Sequence, residues 1–276
     1  MTGQAIALDH VGIVGRDLDA LAAAFERLGF RLTPLARHAG GRTGNRCIML
    51  RDGYLELLAI MPGGSSATLD RFLARHAGVH ILALDITDVA ATAERLRRAG
   101  ITAGEDRSER STDEADPNAP RARFTLLTPP DLPEGRVHLI RHETPEALWQ
   151  NRFLHHPNQA TALREAILCT AQPAEAAARL SRLAGRPVTP DPAGGYALEL
   201  ARGTLRLVPP EAMATLCPGI TFPTLPWIGG LTLATADGNA SLQRRLGEQG
   251  VAYHTSGDTM VVEAGGVALR FRPDRT

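Results

Sequence analysis

The sequence predicts an α+β fold built from four copies of one unit: a short apolar strand, an amphipathic helix, then two or three more strands. Three observations carry this. The order of apolar run, Asp or Pro, helical stripe and Gly comes round four times in 276 residues. In the first two units the helix start and stop fall at one interval, Asp17 to Gly29 and Asp88 to Gly100. Short apolar runs broken by turn residues such as Asp52-Gly53 follow the helices.

Unit one opens with the strand Ala5–Val14. Asp17 caps a helix whose Leu18, Leu21, Ala22, Phe25 and Leu28 form an i, i+3, i+4, i+7 stripe, and Gly29 ends it. Strands follow at 30–35, 46–50 and 54–60. Unit two opens at Gly78–Ile86. Asp88 caps, Val89, Ala93 and Leu96 face inward, Gly100 stops the helix, and strands lie near 123–127 and 136–141. Unit three opens near Leu163–Thr170, with Pro173 in the first helical turn, Leu180 and Leu183 inward, Gly185 as the stop, and strands near 196–200 and 204–208. Unit four opens at Gly230–Ala234, has a helix near 240–250, and ends in strands at 260–263 and 267–271. The stretch 105–120 is charge-dense and aperiodic and reads as a solvated, mobile loop. The stretch 144–158 links the halves, partly helical from Pro145, and the Pro-rich apolar stretch 209–226 joins units three and four.

Hydrophobic residues at 43% and charged residues at 22% are those of an ordinary globular chain. A formal net charge of zero gives no basic excess to argue for a nucleic-acid or membrane-surface partner, and leaves little repulsion against a homodimer. Cys47, Cys169 and Cys217 are odd in number, far apart and in apolar surroundings, so neither a disulfide framework nor a thiolate zinc site is expected. No secretion signal or membrane span is legible, so the expected location is the cytoplasm.

Two polar residues stand out on apolar strands. His10 lies in the first strand of unit one, where a hydrogen-bonded core histidine is the plain alternative to a ligand. Glu56 lies in Leu55-Glu56-Leu57-Leu58, where a buried carboxylate must be paired, protonated, solvated in a cavity, or bound to metal.

Leu8-Asp9-His10-Val11, Thr43-Gly44-Asn45-Arg46, Gly53-Tyr54-Leu55-Glu56-Leu57-Leu58, His142–Trp149 and His156-Pro157-Asn158 resemble the vicinal oxygen chelate superfamily, and within it the bacterial glyoxalase-like domain proteins. The likeness covers almost the whole chain. It implies βαβββ modules that pair into cupped mixed β-sheets with helices outside, and a divalent metal (Fe, Mn, Ni or Zn) held in the cup by residues of the first and last strands. The expected division is a domain at 1–143 (modules 1–60 and 76–143) with the metal cup, a linker at 144–160, and a degenerate second domain at 161–276. Module one pairs with module two or, by an exchange of halves, with module four.

By the resemblance His10 and Glu56 are ligands. Aligning the units on the capping Asp places Ile81 opposite His10, where a ligand is missing. Aligning the last strands on Gly53 and Gly135 places His138 opposite Glu56, as the third ligand. His142, on the same face as His138, is an alternative ligand or an acid/base. Asn45, Arg46 and Thr43, with Arg42, form a polar knot for orienting a small-molecule substrate or stabilising a turn. His80, one residue off Ile81 and on the other face, is a further candidate substrate contact or an ordinary polar contact. In units three and four the matching positions fall near Ala166 and Arg206, and near Leu231 and Ala268 or Leu269, so no second metal set is expected. The implied activity is lyase, isomerase or dioxygenase chemistry on vicinal oxygens. The alternatives are small-molecule sequestration in the same cup and a scaffold with a relic site. Aromatic content of 4% weakens sequestration by stacking.

Overall fold

A computed structural model describes residues 3–38, 40–221 and 223–274. Unit one contains β1 (Ala5–Val14), α1 (Leu18–Arg27), β2 (Ala36–Arg37), β3 (Thr43–Met49) and β4 (Tyr54–Ile60). Asp17 Oδ1 accepts from the amides of Asp19 and Ala20 at 2.9 and 3.0 Å, as the sequence predicts for a cap. Helix α2 (Ala67–Arg75) then leads into unit two: β5 (Gly78–Ile86), α3 (Val89–Arg98), β6 (Gly104–Ser111), β7 (Arg121–Thr128) and β8 (Arg136–His142). The short helix α4 (Pro145–Leu148) and one 3-10 turn connect to unit three: β9 (Ala160–Cys169), α5 (Pro173–Ala184), β10 (Thr189–Pro190), β11 (Tyr196–Glu199) and β12 (Thr204–Val208). After α6 (Pro210–Leu216), unit four has β13 (Trp227–Thr235), α7 (Ala240–Glu248), β14 (His254–Ser256), β15 (Thr259–Ala264) and β16 (Val267–Pro273). The four predicted βαβββ modules are therefore present, and no helix among the described residues is long and apolar enough to cross a membrane.

Module one pairs with module two. β1 runs antiparallel to β5 along nearly its whole length, and each first strand is flanked on its other side by the parallel last strand of its own module, β4 or β8. Modules three and four repeat this through β9 and β13. Among the described residues the two sheets meet at Ile228 with Val79, and isolated bridges join Ala7 to Arg202 and Asp52 to Ala162. Reciprocal turn contacts stitch the seam. The amide of Leu163 donates to Asp52 O at 2.8 Å, and that of Leu8 to Arg202 O at 2.9 Å. The main core lies between the sheets and the outer helices, with Phe25, Leu55, Leu57, Leu96, Leu180, Leu242 and Phe271 fully or nearly fully buried.

Three segments depart from the sequence reading. Residues 104–111 are a strand, not a mobile loop: β6 pairs with β7 from Gly104–Thr128 to Ser111–Arg121. Its charged side chains other than Arg110 are largely exposed on both faces, so charge density marked a solvated strand rather than absence of structure. The stretch 30–35 is irregular, and pairing begins only at Ala36. The Pro-rich joint carries α6, whose Ala212 and Met213 are buried against Ile167, Cys169 and Trp227.

Candidate metal centre

Strand register brings the predicted residues to one concave face. His10 pairs with Ala83 on β5, and Ala83 pairs with His138 on β8. Gly12, two residues on from His10, pairs with Glu56 on β4. Since alternate residues share a face, His10, Glu56 and His138 all point into the cup of modules one and two. The register supports the alignment of the units. His10 pairs with the residue after Gly53, and Ile81 with the residue after Gly135. Ile81 covers Gly12, where a Cβ would stand 2.9 Å from the Ile81 Cβ. Ile81 also joins Phe72 of α2, Val14 and Leu58 in an apolar cluster, so the place of a fourth ligand is filled with hydrocarbon.

A register shift between Leu8 and His10 marks a bulge that turns Asp9 toward the same site. Asp9 Oδ1 lies 2.6 Å from His10 Nδ1 and 3.2 Å from His142 Nε2. His10 Nδ1–H thus donates to Asp9, and Nε2 is left facing Glu56 Oε2 at 3.9 Å. Tyr54 stacks on the His10 ring at 4.3 Å. Glu56 Oε1 accepts a hydrogen bond from Asn45 Nδ2. It also has Arg110 Nη1 and His38 Nε2, each at 3.5 Å. His38 is itself held by Thr43 Oγ1, 2.9 Å from Nδ1. His138 Nδ1 lies 2.8 Å from Thr128 Oγ1.

The electrostatics follow from burial and these partners. Burial opposes ionisation of Glu56, but His38, the Arg110 guanidinium and His10 more than reverse it and hold the carboxyl well below its usual range. Asp9 behaves alike: burial raises it, and the bonds to His10 and His142 bring it well below. Burial, then the neighbouring His10, pushes His138 down to about 4, so it is neutral at pH 7 and offers a lone pair. Tyr54 is pushed well above its usual value by burial and by Asp9 and Glu56, and stays a neutral phenol.

The donor set suits a divalent metal in type and direction. Three imidazoles, His10, His38 and His138, have Nδ1 anchored on an oxygen, the arrangement that orients Nε2 of a metal-binding histidine. The spacing is open. Two atoms bound to one ion stand roughly 3 Å apart, and among the described residues no three His, Cys, Asp or Glu side chains are drawn close enough to surround one.

The remaining candidates divide. Asn45 and Thr43 belong to the site, as the direct and indirect supports of Glu56. His142 reaches it through Asp9. Arg46 does not face the cup: it pairs with Leu57, one residue out of phase with Asn45 and Cys47, which flank Glu56. His80 sits at the bulge between Val79 and Ile81 and is used structurally. It stacks on Phe72 and His76 at 4.8 and 4.1 Å and lies 2.9 Å from His76 O. Sequence reasoning missed Asp9, His38 and Arg110 as site residues. Asp9 carries a readable signal, an acid beside a strand histidine. Arg110 carries none, since EDRSERS reads as a solvated run.

The cup is covered by Ala147 and Leu148 of α4 with Phe153, packed on Cys47, Met49 and Tyr54. A cavity of about 380 Å³ opens at the seam of the two halves onto Asp9 and His142, with Arg51, Arg141, Arg202 and Trp149 in its wall. Asp85, in the same wall, is raised to about 6 by burial and by the charge of Asp9.

Comparison with known proteins agrees with this architecture. A hypothetical protein from Staphylococcus aureus superposes with TM-score 0.70 at 14% identity, covering 97% of this chain and 99% of its own. Homoprotocatechuate 2,3-dioxygenase from Arthrobacter globiformis superposes with TM-score 0.59 at 14% identity, covering 99% and 81%. A Mn(II)-bound glyoxalase from Novosphingobium aromaticivorans gives TM-score 0.57 at 11% identity, covering 98% and 83%. At such identities the likeness is one of fold. No curated protein matches the chain. The sequence profile described as glyoxalase-like domain matches residues 8–184, well over half of the chain. With the paired βαβββ modules, this makes the chain a member of the glyoxalase-like domain family of the vicinal oxygen chelate superfamily.

Proposed function

We propose that this protein is a metal-dependent enzyme acting on a small molecule with vicinal oxygens, by lyase, isomerase or dioxygenase chemistry, in the cup of modules one and two. The observation that carries the reading is the pair His10 Nε2 and Glu56 Oε2, facing each other at 3.9 Å, with Asp9 behind the histidine. His10, Glu56 and His138 would hold the metal. Such an ion would act as a Lewis acid, stabilising negative charge that develops on a substrate oxygen. Asp9 fixes the tautomer of His10 so that its lone pair points into the cup. Asn45 and Arg110 orient Glu56. His142, bonded to Asp9 at 3.2 Å and lining the seam cavity, is placed to hold or move a proton at Nε2. Tyr54, Trp149 and α4 exclude water from the buried side of the site.

Metal analysis of protein purified without chelator tests this. Stoichiometric metal in the wild type, lost in His10→Ala and in Glu56→Gln, is the expected result. A metal content that is negligible and the same in all three proteins would sink the reading. One observation favours a second reading, binding of a small molecule without metal: Glu56 already has a guanidinium partner. Full-strength ligand binding in the Glu56→Gln protein would support that alternative.

A further inference from the structure

Arg110 reaches the site from β6 with a side chain only 10% exposed. Its Nη1 lies 3.5 Å from Glu56 Oε1 and 3.4 Å from His38 Nε2. One nitrogen therefore faces two acceptors, as a small cation between a carboxylate and an imidazole would. The guanidinium lies over the Phe124 ring, 5.5 Å from its centre. Both distances to the acceptors are well beyond the roughly 2.8 Å of a tight guanidinium–carboxylate bond. Arg110 thus neutralises Glu56 without locking it.

We infer that Arg110 is a tethered cation that competes with a divalent metal for Glu56 and His38. The inference rests on the metal reading above and deepens it. Without Arg110, Glu56 would be a buried charge with polar partners but no permanent counter-ion, which is costly. With Arg110 in place the charge of Glu56 is compensated, and an incoming ion must displace the cation that compensates it. His38 becomes a donor to the metal only when the guanidinium leaves. The arrangement lowers metal affinity and makes it depend on where Arg110 sits.

Chelator-treated protein titrated with Mn(II) and with Zn(II), read by calorimetry or by competition with a chromophoric chelator, tests the proposal. Arg110→Gln is expected to bind metal at least about tenfold more tightly than wild type, a change of the size seen when groups behind metal ligands are altered. Phe124→Leu keeps the charge and loosens its seat, and is expected to tighten binding by a smaller factor. It decides the question if Arg110→Gln does not fold. Arg107→Gln, an exposed cation on the same strand, should leave affinity unchanged. Wild type and the Arg110 and Phe124 variants binding metal equally, or the variants binding it more weakly, would overturn the proposal and leave the metal reading standing. Absence of binding in every protein would overturn both.

Discussion

The two cups of this protein each hold a carboxylate at a ligand-type position, Glu56 and Glu165, and treat it differently. In the second cup Glu165 pairs with Thr204, the residue after Gly203, so it occupies the position that His10 has in the first. The sequence puts this position near Ala166, the next residue. Arg206 stands where Glu56 does, three residues after the turn glycine, and lies 3.8 Å from Glu165. Glu165 also accepts from Arg270 Nη1 at 2.8 Å and from Thr232. Arg206 in turn donates to both oxygens of Asp191 at 2.7 and 2.6 Å. Met213 of α6 and Cys217 fill the rest. The positions that carry His10 and Glu56 in one half carry an ion pair in the other. The difference teaches that the fold supplies facing polar positions, while the number and closeness of the cations decide whether the carboxylate stays available.

This contrast can be broken by substitution. The largest effect is expected at Glu165. Glu165→Gln leaves two nearly buried guanidiniums short of a partner and should destabilise by about 3 kcal/mol, read by denaturant unfolding, with no change in metal content. Arg110→Gln should cost less stability, because its contacts are long. Equal losses would show that the two cups are locked alike. Next in size is Gly12→Ala, whose methyl meets the Ile81 Cβ at 2.9 Å. It should cost about 1–3 kcal/mol, and in an Ile81→Gly background, which lacks that Cβ, the same change should cost little. A Gly12→Ala protein as stable as wild type would mean that Ile81 is not held against β1.

The smallest effect is on pH dependence. Burial lowers His138 to about 4, and His80 likewise. The unfolded chain, with histidines near 6.5, therefore binds more protons than the folded one between about pH 4 and 6.5. Stability rises with pH across that window and falls on acidification through it. His138→Gln should flatten the slope there, and an unchanged slope would remove His138 from the account.

Much was open to reading before any tertiary contact was known. The caps at Asp17 and Asp88, the stops at Gly29 and Gly185, and the turns at Gly53 and Gly135 act on the local backbone, so they were visible as residue types at fixed spacing. Alternation let Glu56 point away from Leu55 and Leu57 for the same reason, and the family resemblance joined it to His10. His138 emerged by comparing two such units. Burial of Asp9 and the reach of Arg110 were not legible. Asp9 turns inward through a bulge, which shifts phase by one residue and leaves no mark in composition. Arg110 lies in a run whose other charges are solvated, and only the pairing of β6 with β7 singles it out.

The sequence by itself determined the repeated unit, its caps and the strands that carry His10 and Glu56, because these follow from periodicities of the chain over a few residues. The tertiary structure alone decided that module one pairs with module two, that Ile81 closes the fourth position over Gly12, and that Glu56 is left with one loosely held guanidinium while Glu165 is left with two. Those outcomes depend on which strands adjoin and in what register, a matter of contacts between residues far apart in the chain.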